Sequence, residues 1–277
     1  WLGTAGGGLL RWREGKVDAL GSEYGLSHIT SLFEDSERNL WVGTFGGGLH
    51  RLQNGKFIVY GVQEGLSHDA TYSAAEDATG AVWIGTYGGG LNRLKNGEVV
   101  AYTAKDGLRS ENLGTIVPAR NGDVWIATQS GLLRLRDGKL RAYTREDGLS
   151  ERLVTAILED RAGRIWVGNS EGLHRLEGER FVSYGKRDGL PGDFVLTLAE
   201  GRDGSLWIGT YDSGLARWKD GRFTTYRGTG LEQQPIACLY EDADGTLWIG
   251  TFGGGLVRMR NDRFDALTTR QGLFDDN

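Results

Sequence analysis

The sequence predicts an all-β chain: a seven-bladed β-propeller of four-stranded antiparallel blades, one blade lacking its inner strand. Three observations carry this. A Trp-aliphatic-Gly triplet, or a near equivalent, recurs at Trp1, Trp41, Trp83, Trp125, Trp166, Trp207 and Trp248, with spacings of 40, 42, 42, 41, 41 and 41 residues; repeats of that length are the mark of a propeller. Each unit holds four short segments of alternating polarity and none with a convincing helical period. Gly supplies 46 of 277 residues and Pro only 3, as a chain built from tight hairpins requires.

The second unit shows the elements in order. Ile29–Asp35 and Leu40–Thr44 alternate as strands, followed by Gly48–Leu52 and Lys56–Tyr60. Ser36–Asn39, Phe45–Gly47 and Gln53–Gly55 join them as short polar or Gly-rich turns. Gln63–His68 then leads into the next unit. Counted over the chain, the second, third and fourth strands occur in every unit. The inner strand is missing from the first, which starts directly at its Trp strand. Seven full repeats would need about 287 residues, roughly ten more than are present. We therefore expect one domain over 1–277, a segment of a longer chain whose last strand lies outside it. The closing Gly272–Asn277 reads as a lead into a further strand.

Composition removes several classes. Three prolines exclude collagen, and 39% hydrophobic residues with a net charge of −5 exclude disorder. A lone Cys238 excludes a disulfide scaffold. No apolar run reaches the length of a membrane span. The acidic balance, 32 basic against 37 acidic side chains, argues against nucleic acid. Cys238 falls on an inner strand, where Ser31, Ser73, Thr115, Ala156 and Thr197 stand in other units, and reads as a small core residue.

The recurring Trp is expected to fill the wedge between neighbouring twisted sheets. An Arg also recurs in the third strand, at Arg11, Arg51, Arg93, Arg134, Arg175, Arg217 and Arg258. We expect each to pair with a carboxylate or a turn carbonyl. The Asp of a repeated Glu-Asp (Asp35, Asp77, Asp160, Asp242) is one obvious partner. Ala119 and Gly201 replace it in units four and six, which keep the Arg, so it cannot be the only one.

Loops after the second and fourth strands of a four-stranded blade emerge on one face. After the Thr or Asn of the second strand come Ala5, Phe45, Tyr87, Gln129, Ser170, Tyr211 and Phe252. Phe45, Tyr87, Tyr211 and Phe252 would form an arc of aromatic rings at the channel mouth, suited to stacking on a sugar or other planar face. The bland alternative is that these rings pack on neighbouring loops. Lead-in segments add His28, His68, Asp69, Glu111, Arg152 and Asp193, polar residues that differ from unit to unit as a recognition surface would. Unselected solvent-facing loops would vary in the same way. Of the four histidines, His50 and His174 precede the repeated Arg and are expected to face the sheet surface. His28 and His68 with a carboxylate could hold a metal or act as a base, but their spacing is not metal-specific. There is no P-loop, nucleophile elbow or Cys/His cluster. We expect no catalytic residue, metal or cofactor.

These residues resemble a known family. Glu241-Asp242-Ala243-Asp244-Gly245-Thr246-Leu247-Trp248-Ile249-Gly250-Thr251 is similar to the two-component regulator propeller repeat, as are the Asp-Gly-Leu segments at 106–108, 147–149 and 188–190. Unit four departs most, with Pro118-Ala119 for Glu-Asp and Ala127 for Gly. The resemblance implies a non-catalytic, periplasmic or extracellular sensor region of a bacterial hybrid histidine kinase, diguanylate cyclase or transcription regulator. It implies a small-molecule or oligosaccharide ligand and a homodimer in the full-length receptor, with no nucleic acid and no membrane contact within this segment. Two alternatives stay open. One is an enzyme like the streptogramin lyases, which have similar Trp-containing blades. The other is an interaction scaffold with an exposed apolar patch around Tyr60, Tyr102, Tyr143, Tyr184 and Tyr226.

Overall fold

The computed structural model describes residues 1–4, 6, 8–13, 16–20 and 25–271. Ala5 and the closing 272–277 stretch, both named above, lie outside the described residues. Seven antiparallel sheets follow one another along the chain, each with its strands in sequence order. The fold class is the seven-bladed β-propeller. The second sheet has strands Ile29–Glu34, Leu40–Thr44, Leu49–Gln53 and Lys56–Tyr60, close to the segments read from the sequence. The first sheet has three strands among the described residues: Leu2–Gly3, Leu9–Arg13 and Lys16–Leu20. The chain divides into two compact units, Trp1–Ala142 and Tyr143–Asn277. No helix of the described residues is long and apolar enough to cross a membrane.

Within each unit the core lies between consecutive sheets. Leu9 of the first sheet packs with Leu40 and Val42 of the second. Trp41 and Leu49 meet Val82, Ile84 and Leu94 of the third, and Trp83 and Leu91 meet Ile126 and Leu133 of the fourth. In the second unit Trp166 packs with Ile208 and Trp218, and Trp207 with Ile249 and Met259. The recurring Trp thus fills the inter-sheet wedge as expected. Tyr60, Tyr102, Tyr184 and Tyr226 lie 5.6–6.0 Å, ring to ring, from Trp41, Trp83, Trp166 and Trp207. Tyr143 is 1% exposed. The tyrosine rings themselves are packed inward onto an indole or a neighbouring ring, while Ile58, Val59, Val100 and Val182 of the same outer strands are exposed.

The recurring Arg and Asp act differently from the sequence expectation. Each Asp accepts the indole N–H of the Trp six residues on: Asp35–Trp41 at 2.6 Å, Asp77–Trp83 at 2.8 Å, Asp160–Trp166 at 2.9 Å and Asp242–Trp248 at 2.8 Å. The same carboxylate also closes its turn, as Asp35 does by accepting the N–H groups of Glu37 and Asn39. Burial works against the ionised form of Asp35, yet these bonds hold its carboxyl below the usual value. The Arg stands directly across from the Trp in the ladder, as in Trp41↔Arg51 and Trp83↔Arg93. Its guanidinium therefore lies over the indole face, 5.0–5.6 Å from the ring in six sheets. Some also reach a carboxylate: Arg217 pairs with Asp203, and Arg258 with Asp265 at 3.3 Å.

Two further expectations are corrected. His50 and His174 are buried, 2% and 3% exposed, because the residue before the Arg points to the opposite side of its strand, into the inter-sheet core. His174 bonds Ser183 Oγ at 2.8 Å and Asn169 Oδ1 at 3.0 Å. Cys238 is exposed. It stands opposite Gly250, as Ala156 stands opposite Gly168, but Ala156 is buried by the next inner strand, that of Val195–Glu200, whereas Cys238 is on the last inner strand of the described residues.

Candidate functional site

The loops that carry the aromatic candidates are built by the repeat itself. The Thr closing each second strand folds back onto the carbonyl that begins the third: Thr44 to Gly48 O at 2.8 Å and Thr86 to Gly90 O at 2.8 Å, with the same bond from Thr210 and Thr251. Gly90 must be glycine, since its φ is +83° and a Cβ would strike the Tyr102 carbonyl oxygen. The residue after the Thr is turned out to solvent. Phe45, Tyr87, Tyr211 and Phe252 are 55%, 44%, 50% and 56% exposed. Their backbones are nonetheless fixed: Phe45 N–H donates to His28 O, Tyr87 to Ala70 O, Tyr211 to Phe194 O and Phe252 to Pro235 O, all at 2.8–3.0 Å. Each ring is thus exposed on a backbone held in place by the neighbouring lead-in.

Within the first unit the structure brings Phe45 and Tyr87 together, with ring centroids 5.9 Å apart and tilted by 53°. Within the second, Tyr211 stacks on Phe194 at 5.2 Å and 20°. Phe194 was not foreseen. Its signal is an aromatic residue directly before an inner strand, where other sheets carry His28, Ala70 and Asn112.

The polar candidates have internal duties. Four lead-ins fold a single 3-10 turn, Val62–Glu64, Ala104–Asp106, Arg145–Asp147 and Lys186–Asp188, which strand reasoning did not anticipate. The Asp of Asp-Gly-Leu reaches back to the N–H three residues earlier: Thr103 at 2.8 Å, Thr144 at 3.0 Å and Gly185 at 2.9 Å. The following Leu108, Leu149 and Leu190 are buried. Asp69 Oδ1 accepts the N–H of Val62 at 2.8 Å, and Glu111 and Asp193 do the same for Ala104 and Lys186. Arg152 pairs with Glu171 at 3.2 Å, both exposed. His68 accepts the N–H of Ala70 through Nδ1 at 2.9 Å, and His28 is exposed. Among the described residues no three His, Cys, Asp or Glu side chains are placed to hold a metal ion.

The two-component regulator propeller model matches residues 24–46, 148–171, 189–212 and 230–253, about a third of the chain. These four stretches are two-component regulator propeller repeats. Each repeat match takes in the Gly-Leu of a lead-in, the inner strand and the Trp strand, and ends in the outward-facing loop. Among curated proteins none matches the chain. Of solved structures, virginiamycin B lyase from Staphylococcus aureus superposes with a TM-score of 0.71 at 16% identity, over 86% of this chain and 83% of that one. PorZ, a surface component of the type-IX secretion system of Porphyromonas gingivalis, gives 0.64 at 15% identity, over 87% of this chain and 44% of its own. Both share the propeller fold with the repeats. The extracellular domain of a hybrid two-component system of B. thetaiotaomicron matches at 19% identity and a TM-score of 0.43, over 100% of this chain and 51% of that one.

Proposed function

We propose that this chain is a non-catalytic, ligand-sensing propeller of a bacterial signal-transduction receptor, facing the periplasm or the cell exterior. The observation that carries the reading is the set of exposed aromatic rings held on fixed backbone at one repeated loop position, Phe45, Tyr87, Tyr211 and Phe252. Two-component regulator propeller repeats support it. The ligand class we favour is an oligosaccharide or other small molecule with an apolar planar face, for which tilted and stacked ring pairs are apt partners. The capped carboxylates Asp69, Glu111 and Asp193 hold the lead-ins in place, while Arg152 and the free ring nitrogens of the lead-in histidines would supply polar contacts. Calorimetry against a panel of neutral oligosaccharides tests the reading. Binding that Tyr87→Ala or Tyr211→Ala weakens about tenfold is the expected result. Binding that ignores all four rings would move the site elsewhere, and no binding to any member would count against the reading.

A further inference from the structure

Ala70 links the two loops that carry the Phe45–Tyr87 ring pair. It forms an antiparallel bridge with Phe45, and its carbonyl accepts the N–H of Tyr87 at 2.8 Å. The N–H of Ala70 is taken in turn by His68 Nδ1 at 2.9 Å. That bond fastens the backbone on which both rings hang, and it also fixes the tautomer of the imidazole. A ring nitrogen that accepts carries no proton, so in the neutral ring the hydrogen sits on Nε2. The lead-in of the fourth sheet makes the same bond with a smaller group: Ser110 Oγ accepts the N–H of Asn112, likewise two residues on, at 3.2 Å. A hydroxyl therefore meets the structural demand at this position.

The imidazole adds what a hydroxyl there lacks, a second polar atom carried further out. His68 is exposed, and its Nε2 has no hydrogen-bond partner among the described residues. The Tyr87 loop closes onto it: a Cβ on Gly89 would collide with His68 Cβ at 2.7 Å, and one on Gly88 would stand in ordinary contact with Nε2 at 3.9 Å. The Nε2–H edge thus lies beside the Tyr87–Gly88 backbone, where residue 88 has no side chain to cover it. We infer that His68 sets the specificity of the Phe45–Tyr87 site by donating Nε2–H to an acceptor oxygen at the edge of a ligand whose apolar face lies on the rings. This rests on the sensor reading and narrows its ligand class. A neutral pyranose has both features, a C–H face and hydroxyl or ring oxygens around its rim. An apolar ring without an acceptor, or a cation whose edge offers only N–H donors, gives Nε2–H nothing to meet.

The test titrates the whole chain with the panel of neutral oligosaccharides, compares His68→Ser, His68→Ala and Tyr87→Ala by calorimetry, and follows the imidazole nitrogens by NMR in mildly alkaline buffer. The free chain should carry the His68 proton on Nε2, and that resonance should move as the sugar saturates the site. His68→Ser, which reproduces the Ser110 bond, should keep the melting profile and still lose about tenfold in affinity, the worth of one hydrogen bond. His68→Ala should lose the same affinity and melt earlier, because the Ala70 N–H is then left without its acceptor. Full affinity in His68→Ser, or a proton on Nδ1 in the free chain, overturns the proposal. Tyr87→Ala keeps the two readings apart. Binding that it weakens and His68→Ser does not leaves the sensor standing without His68, whereas a chain that binds no member of the panel overturns both.

Discussion

Asp77 concentrates the work of one repeat in a single carboxylate, binding Thr79, Ala81 and the Trp83 indole at 2.6–3.1 Å. Asp77→Ala leaves the N–H of a buried indole without its acceptor and opens the turn, and should cost about 2–3 kcal/mol in urea unfolding. Arg93→Ala removes chiefly the contact over Trp83 and should cost about 1 kcal/mol. Equal costs would mean that the Asp is not the anchor. The buried histidines give a pH signature. Burial pushes His174 down to about 4 from the usual 6.5 and lowers His50 as well. Because the folded pKa is the lower one, the unfolded chain takes up the proton first as pH falls. Stability is thus complete above the unfolded pKa and declines below about pH 6.5 until His174 itself protonates near 4. Between about pH 7 and 5 the loss from His174 should approach 2 kcal/mol, and His174→Gln should flatten the urea-midpoint profile over that range. The lowered aspartates stay ionised throughout this window, so their own loss begins only in stronger acid.

At the level of the element, turn and strand chemistry separate cleanly. Gly90 and Gly97 both have positive φ, +83° and +82°, but a Cβ at Gly90 meets the Tyr102 carbonyl while one at Gly97 meets open space. Gly90→Ala should cost about 3 kcal/mol and Gly97→Ala about 1 kcal/mol, read from chemical denaturation. A similar cost at both would show that φ strain alone matters. Strand limits and the Trp wedge were legible because polarity alternates with period 2 and the indole has one place large enough to go. The Asp–Trp bond was not legible. Spacing shows that Asp, Trp and Arg recur together but not which pairs face, and the opposite-charge pair was the easier guess. The burial of His50 and His174 was not legible for a related reason: alternation shows which face of the strand a ring points to, not whether a neighbouring sheet covers that face. The 3-10 turns escaped because three residues are too few to show a period, although the Thr-x-x-Asp spacing at Thr103–Asp106 was present. Of the loop site, the four exposed rings were legible from their departure from the repeat; Phe194 was hidden because it sits outside that position.

Across the whole chain, net charge is small, −5 in 277 residues, and Asp69, Glu111 and Asp193 are already bonded to backbone N–H groups. Recognition at the aromatic loops should therefore depend little on ionic strength. Affinity for a neutral oligosaccharide should change by less than about twofold between low and high salt, whereas a steep decline would point to an anionic ligand held by Arg152. Trp41, Trp83, Trp166 and Trp248 each find their acceptor six residues away in the same repeat. Such repeats are interchangeable parts: one could be duplicated, moved or lost and carry its own indole acceptor with it. Trp207 is different, for its acceptor Glu241 belongs to the next repeat. Repeats six and seven are thus tied to each other by a side-chain bond, and separating them would leave the Trp207 N–H without this acceptor.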